Sequence, residues 1–305
     1  MEFERRWLND IPRIADDDWR GIFSNLWNEG TREELNRIDD GLLASWYWTL
    51  RLSEFVFQNG GEPNVPGFKW SAVGLVLPHE SDIGRFGVIK YVDSRLAEDA
   101  AVRSWEPIEL ADNLFPIIER PISITLHANR SIRIPRAGSV SQARTRVGTP
   151  YEREGWLTAA HVVEGFSTVQ YEDGSTGAVT DVGPGCIDVA LTHDPSLQLS
   201  MHHRPIMQAV TMGLQCSFAG FSGGHPGHVT DVTTSLGVLT ASALPVRVGL
   251  SQYGTGGDSG SRVDAYNGAV IGNYLGSYDD ASGNTAGLAQ SANQLRVLVQ
   301  AEYRG

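Results

Sequence analysis

The stretches Leu157-Thr158-Ala159-Ala160-His161, Ile187-Asp188-Val189-Ala190-Leu191 and Gly257-Asp258-Ser259-Gly260 decide the reading of this chain. In that order they supply a histidine, an aspartate and a serine, the parts of an acyl-transfer triad. A serine hydroxyl is a weak nucleophile until a base removes its proton. That base needs a third group to fix its tautomer and orientation. In these roles Ser259 would attack, His161 would carry the proton, and Asp188 would orient His161 and stabilise its charged form.

Each candidate has a local setting that suits its role. Gly155-Trp156-Leu157-Thr158-Ala159-Ala160 reads as a buried strand ending in small residues, from which His161 emerges. Asp173 and Asp181 also lie between His161 and Ser259. Asp173 belongs to Glu172-Asp173-Gly174-Ser175, a hairpin-turn composition that points to solvent. Asp188 lies instead among Cys186, Ile187, Val189, Ala190 and Leu191. A carboxylate buried in such a run needs a partner, and a histidine N–H supplies one. Gly257 and Ser259 would present backbone N–H groups to a developing oxyanion, at about 3–4 kcal/mol per donor. Glycine at 257 suits a turn that a side chain would obstruct. Alone, Gly257-Asp258-Ser259-Gly260 would be an ordinary glycine-rich turn and His161 a structural histidine. Their joint occurrence in this order favours the chemistry.

The order of the three residues separates this reading from its neighbours. Other Ser-His-Asp enzymes run Ser, Asp, His or Asp, His, Ser. The nucleophile-elbow pattern also fails, because Ser261 stands where its last glycine should be. On these residues the chain resembles the chymotrypsin-like (trypsin-fold) serine proteases, as an intracellular bacterial-type member with an N-terminal extension. The resemblance implies a mainly β protein with two antiparallel β-barrels, preceded by a helical segment and a small α/β unit. His161 and Asp188 would come from the first barrel and Ser259 from the second, with the site in the cleft between them. The implied activity is serine endopeptidase action on a protein or peptide substrate, with Gly257 and Ser259 as the oxyanion hole and no cofactor or metal.

The resemblance also reaches residues around the serine. Asp258 would be a structural pairing group. In many members its partner is an amino terminus freed by cleavage. Here the chain starts more than a hundred residues before the expected barrels, so the partner of Asp258 stays open. Tyr253 would lie at the base of the primary specificity pocket, and Gly272-Asn273-Tyr274-Leu275-Gly276-Ser277 would give its far wall, with a register open by one residue. Asn273, Tyr274, Leu275 and Gly276 are the wall residues expected to meet substrate. No aspartate occupies position 253, which argues against a demand for Lys or Arg. The two tyrosines suggest a shallow or mostly apolar pocket.

Composition sets the bounds. The 305 residues suffice for more than one domain, and the expected division is 1–61, 62–120 and 121–305. No segment approaches ~20 consecutive apolar residues, so no membrane span is expected. Met1-Glu2-Phe3-Glu4-Arg5-Arg6 lacks the form of a secretory signal, and a cytoplasmic location is expected for a complete chain. Two cysteines, Cys186 and Cys216, are far fewer than in secreted trypsins and read as free thiols, with one bridge as the alternative. The net charge of −12 argues against nucleic acid, whose affinity rests on phosphate contacts. It is concentrated in the first 120 residues, which carry 22 acidic against 13 basic groups. That acidic front could recruit a basic partner or be plain solvated surface. Cys216, His225 and His228 match no strong zinc spacing, and the histidines fall in Gly223-Gly224-His225-Pro226-Gly227-His228, which reads as a solvated loop.

Along the chain, residues 1 to about 60 read as helical. A first helix is expected over 17–28. Thr31-Arg32-Glu33-Glu34 forms a capping box, followed by Leu35, Ile38, Leu42, Trp46 and Leu50 at spacings of three and four. Asp39-Asp40-Gly41 could divide that helix, and Asn59-Gly60-Gly61 ends it. Trp46, Tyr47 and Trp48 read as packing residues, with partner docking as the alternative. Strands are expected over 70–77 and 86–92 and a short helix over 94–103. The barrel region offers strands at 131–134, 138–140, 156–160, 168–171 and 177–182, and a helix over 288–303.

Three readings use these residues. The first is a serine endopeptidase whose extension docks or receives an activator. The second is a latent or inactive trypsin-fold binding or scaffold protein, since fold alone does not fix function. The third is an esterase or a protein that cuts only its own chain.

Overall fold

The computed structural model describes residues 10–14, 40–58, 67–97, 105–127, 133–134, 141–171, 173–183, 187–207, 210–233, 247–280 and 283–305. The capping box, the helix expected over 17–28, Asn59-Gly60-Gly61, Ser131-Ile132, Gly138-Ser139-Val140 and Cys186 lie outside these residues.

Helix α1 (Asp40–Gln58) is followed by β1 (Phe68–Leu75), β2 (Phe86–Asp93), α2 (Ser94–Ala97), β3 (Trp105–Leu110) and β4 (Asn113–Leu126). A first group of short strands comes next: β5 (Arg133–Ile134), β6 (Ser141–Thr145), β7 (Arg153–Thr158), helical turn α3 (Ala160–Val163), β8 (Thr168–Tyr171), β9 (Thr176–Val182) and β10 (Ala190–His193). The rest is β11 (Gln215–Gly220), β12 (Gly223–Thr233), β13 (Arg247–Leu250), β14 (Arg262–Ala265), β15 (Val270–Asp280), β16 (Thr285–Ser291), α4 (Ala292–Val299) and β17 (Glu302–Tyr303).

The protein is mainly β, with two sheets. One has seven strands in the order β17-β6-β7-β10-β9-β8-β5. The other has ten, in the order β11-β14-β15-β16-β13-β12-β1-β2-β4-β3. Two extra pairings fold the larger sheet back on itself. β11 pairs with β12, so hydrogen bonds run round a ring of six strands, and β15 pairs with β4, which makes a second ring through β1 and β2. Within the two rings each strand is paired on both sides, and β3 is left as an edge strand beside β4.

Because of the second ring, the leading strands share a core with the strands that follow. Trp70, Ile89, Tyr91 and Ile118 pack with Tyr278 and Leu288. Buried Asp231 accepts from the hydroxyls of Tyr91 and Tyr278, each at 2.7 Å. Burial raises its pKa against the pull of these donors and of Arg120. Arg120 grips Glu80 through two nitrogens at 2.9 and 2.7 Å. Strand β4 crosses the boundary expected at residue 120 without a break.

Helix α1 covers the outside of this region. Leu43, Trp46, Tyr47, Trp48 and Leu52 are buried with Val73, Phe86, Phe115 and Met212. The aromatic stripe is therefore a packing surface here, and Trp48 donates its indole N–H to the carbonyl of Pro12 at 2.6 Å.

Two elements differ from expectation. The C-terminal helix is only Ala292–Val299, because Leu288 belongs to β16 and Ser291 caps the helix. Tyr303 lies in β17, which pairs with β6 and ties the C-terminus to the seven-stranded sheet. Residues 223–228 are a strand rather than a solvated loop. They form the start of β12, paired with β11 from Gln215↔His228 to Gly220↔Gly223. The glycines that suggested a loop mark a tight β11–β12 turn, with Gly223 at φ 126°. Between the sheets, Leu157, Val189 and Leu191 pack against Val270, Leu295 and Val299.

Among the described residues, no helix is long and apolar enough to cross a membrane.

Candidate active site

Antiparallel pairing of β7 with β10 brings His161 and Asp188 together. Thr158 at the end of β7 lies opposite Ala190 at the start of β10. The residues just beyond the one and just before the other therefore share one edge. Leu157, Ala159, Val189 and Leu191 are fully buried and anchor both strands. The single turn α3 then presents His161.

Asp188 holds His161 at two points. Its Oδ1 accepts the backbone N–H of His161 at 3.0 Å, and its Oδ2 meets the ring Nδ1 at 2.6 Å. On the other side of the ring, Nε2 lies 2.9 Å from Ser259 Oγ. With Nδ1–H donated to the carboxylate, Nε2 is left as the acceptor facing the hydroxyl. Ser259 itself is buried. Its Oγ also reaches the carbonyl of Leu275, so its proton has two acceptors in range.

The loop carrying Ser259 joins β13 to β14 and is shaped by Asp258. Gly257 and Gly260 take φ of 101° and 91°, values that favour glycine. The Asp258 carboxylate is fully buried and turned inward. It accepts from the backbone N–H of Thr255 at 2.7 Å, from the backbone N–H of Ser222 at 2.9 Å and from the Ser222 hydroxyl at 2.5 Å. His225 Nε2 is 3.7 Å away and 2.9 Å from Ser222 Oγ. The partner that sequence left open is thus the β11–β12 turn. Gly220 and Gly254 leave the space: a Cβ at either would fall 2.1 or 2.2 Å from a carboxylate oxygen of Asp258.

An aromatic stack, buried at Phe218 and Tyr274, backs the loop. His225, Phe218 and Tyr274 lie in sequence with centroids 4.6 and 4.3 Å apart. Tyr274 Oη accepts the N–H of Gly254 at 2.8 Å. Burial holds its pKa above the ordinary value.

The other expected residues divide. Tyr253 is about half exposed and Tyr274 is buried. Asn273 is turned away, accepting from Tyr303 Oη at 2.6 Å. Leu275 and Gly276 lie on the edge of β15 next to Ser259, and that edge carries a segment of the chain itself. Gly276 pairs with Leu126 and Ser277 with Thr125, and the His127 N–H donates to the Leu275 carbonyl at 3.2 Å. The Gly257 N–H donates to the His127 carbonyl at 2.7 Å. His127 has no local motif to mark it, and only the long-range β4–β15 pairing brings it here.

The chain resembles the chymotrypsin-like serine proteases. The resemblance rests on the order His161, Asp188, Ser259 and on their meeting between two β-sheets. No family model matches the chain, and no curated protein matches it. Among solved structures, a protease from M. tuberculosis in its active form is 18% identical, with 58% of this chain and 91% of that one covered at a TM-score of 0.35. A Nocardiopsis protease is 16% identical, with 56% and 100% covered at 0.39. A glutamic acid-specific serine protease is 16% identical, with 54% and 91% covered at 0.40.

Beside His161 and Asp188 lies an open cavity of about 670 Å³, lined in part by Phe166, Val179, Val182 and Ile187. Among the described residues no His, Cys, Asp or Glu cluster could hold a metal ion. Cys216 is buried, and burial pushes its thiol up to about 12, which makes it a poor nucleophile.

Proposed function

We propose that this protein is a serine endopeptidase of limited specificity that works through an acyl-enzyme on Ser259. The observation that carries the reading is the hydrogen-bonded series from Asp188 through His161 to Ser259. In this mechanism Ser259 Oγ attacks the carbonyl carbon of the substrate while His161 Nε2 takes its proton. Asp188 stabilises the imidazolium without being protonated. The Gly257 N–H, and that of Ser259, stabilise the oxyanion. His161 then protonates the leaving amine, and water repeats the sequence to release the acid. Leu275, Gly276 and Tyr274 would meet the acyl side of the substrate.

The substrate is a protein or peptide, and the region before residue 121 is the proposed place for an activator or docking partner to act. The occupied edge of β15 favours a second reading, a site latent toward other chains. Labelling with a fluorophosphonate probe tests the proposal, with Ser259→Ala and His161→Ala as controls. Modification of the wild type alone supports an activated serine. Equal labelling of the Ser259→Ala variant would refute it.

A further inference from the structure

We propose that the substrate of this site is the protein's own chain, cut at the peptide bond that follows His127. The inference rests on the serine-protease reading and adds its substrate.

The edge of β15 is divided between two strands. β14 and the two residues before it pair with it as far as Tyr274, and β4 takes up the same edge from Gly276 to Asp280. The last residues of β4 thus bind by strand addition, a common mode of peptide recognition. The register runs Asp280↔Ile122, Asp279↔Ser123, Tyr278↔Ile124, Ser277↔Thr125 and Gly276↔Leu126. The fit is close: a Cβ on Gly276 would stand 2.2 Å from the Thr125 carbonyl oxygen and 3.0 Å from Leu126 Cα.

This register delivers His127 to the reacting groups. Its N–H and the Ser259 hydroxyl converge on one acceptor, the Leu275 carbonyl. Its own carbonyl accepts the Gly257 N–H, the donor assigned to the oxyanion. Its imidazole is held on both sides, with Nδ1 2.9 Å from Tyr274 Oη and Nε2 3.1 Å from Ser277 Oγ. Tyr274 Oη also accepts from Gly254, and its proton is free to go to Nδ1 while Nε2–H donates to Ser277. That arrangement seats a neutral histidine, the form that burial of the ring favours. It explains the paired tyrosine and serine, and the glycine between them on β15, as a recognition surface for one side chain. An ordinary buried strand end would not require the His127 carbonyl to take the oxyanion donor beside an activated serine.

The reaction balances with water as the only co-reactant. Ser259 Oγ bonds to the His127 carbonyl carbon, and its proton passes to His161 Nε2. The C–N bond to Ala128 breaks, and His161 gives that proton to the Ala128 nitrogen. Water then adds to the ester, releases the His127 carboxylate and restores Ser259. The new carboxyl end would stay paired to β15, because β4 is also held by β2 and β3.

The test is intact-mass analysis of the purified full-length chain beside Ser259→Ala and His127→Ala, with fluorophosphonate labelling in parallel. Expected are two wild-type fragments meeting between His127 and Ala128, an uncut Ser259→Ala chain, and cleavage slowed about ten- to a hundredfold in His127→Ala. Within a dilution series the wild-type rate should not change, as for a cut within one chain. An uncut wild type whose Ser259 takes the probe overturns self-cleavage and leaves the hydrolase standing. An uncut and unlabelled wild type overturns both. A cut at another bond, a cut in Ser259→Ala, or a rate that rises with concentration also overturns the inference.

Discussion

Asp188 holds His161 by two contacts of different kind, one to the backbone N–H at 3.0 Å and one to ring Nδ1 at 2.6 Å. The backbone contact fixes where the residue sits, and the ring contact fixes which nitrogen carries the proton. Asp188→Asn would keep the first and present an N–H where an acceptor is needed. It should lower turnover about 10⁴-fold, while Ser259→Ala or His161→Ala should cost roughly 10⁶. Steady-state hydrolysis of an ester or peptide by the three variants checks the ranking. An Asp188→Asn variant with near wild-type turnover would contradict the assignment.

Asp258 should matter for loop shape and for no chemical step. Asp258→Ala leaves two backbone N–H groups and the Ser222 hydroxyl without their acceptor in a buried site. The cost should be on the order of 2–4 kcal/mol, with loss of serine labelling. Ser222→Ala removes one donor only and should cost about 1 kcal/mol. Thermal unfolding of the pair, read beside labelling, separates the two effects.

Gly276→Ala should unseat the end of β4, because the added Cβ meets backbone atoms that cannot rotate away. The expected signature is faster hydrogen exchange at the His127 amide, with exchange in the β4–β2 pairing unchanged. Unchanged protection at His127 would show that β4 is not held by this edge.

Burial lowers the pKa of His127 from its ordinary value; nearby Asp258 opposes the shift and His161 adds to it. The sign follows from linkage. A histidine whose folded pKa is depressed is proton-poor relative to the unseated chain. The seat's stability is fully present above the unperturbed value of about 6.5. It falls as the pH drops from there through the lowered value. The His127 ring resonance should titrate with a midpoint below 6.5, and His127 protection should weaken in that range. A midpoint above 6.5 would reverse the prediction.

Removal of residues 1–120 should give an insoluble chain. The cut falls inside β4 and uncovers Tyr278, Leu288 and Asp231, whose partners Trp70, Tyr91 and Ile118 are removed. Expression of 121–305 with a solubility assay decides it. A soluble, folded fragment would show that the barrel strands stand alone.

The three residues that the fold brings together, His161, Asp188 and Ser259, carry signals in the sequence that are local. His161 follows a buried strand, Asp188 is a carboxylate in an apolar run, and Ser259 lies in a glycine-rich turn; these patterns depend on neighbours within a few residues. The strands over 168–171 and 86–92 were legible for the same reason. The helix expected over 288–303 overextends because Leu288 fits a helix or a buried strand equally well, and its pairings with Gly249 and Gly276 separate them. The histidines of 223–228 read as a loop because glycine marks loops and tight hairpins alike.

What the sequence by itself determined is therefore the three residues His161, Asp188 and Ser259 and their order, since each lies in a short local motif. The tertiary structure alone decided three things: the partner of Asp258, the ring of pairings through which β1, β2 and β4 share a core with β15 and β16, and the placement of His127 over the Gly257 N–H. Each of these joins residues far apart in the chain. Strand pairing uses backbone groups that every residue carries, so no local pattern announces which edge a strand will take.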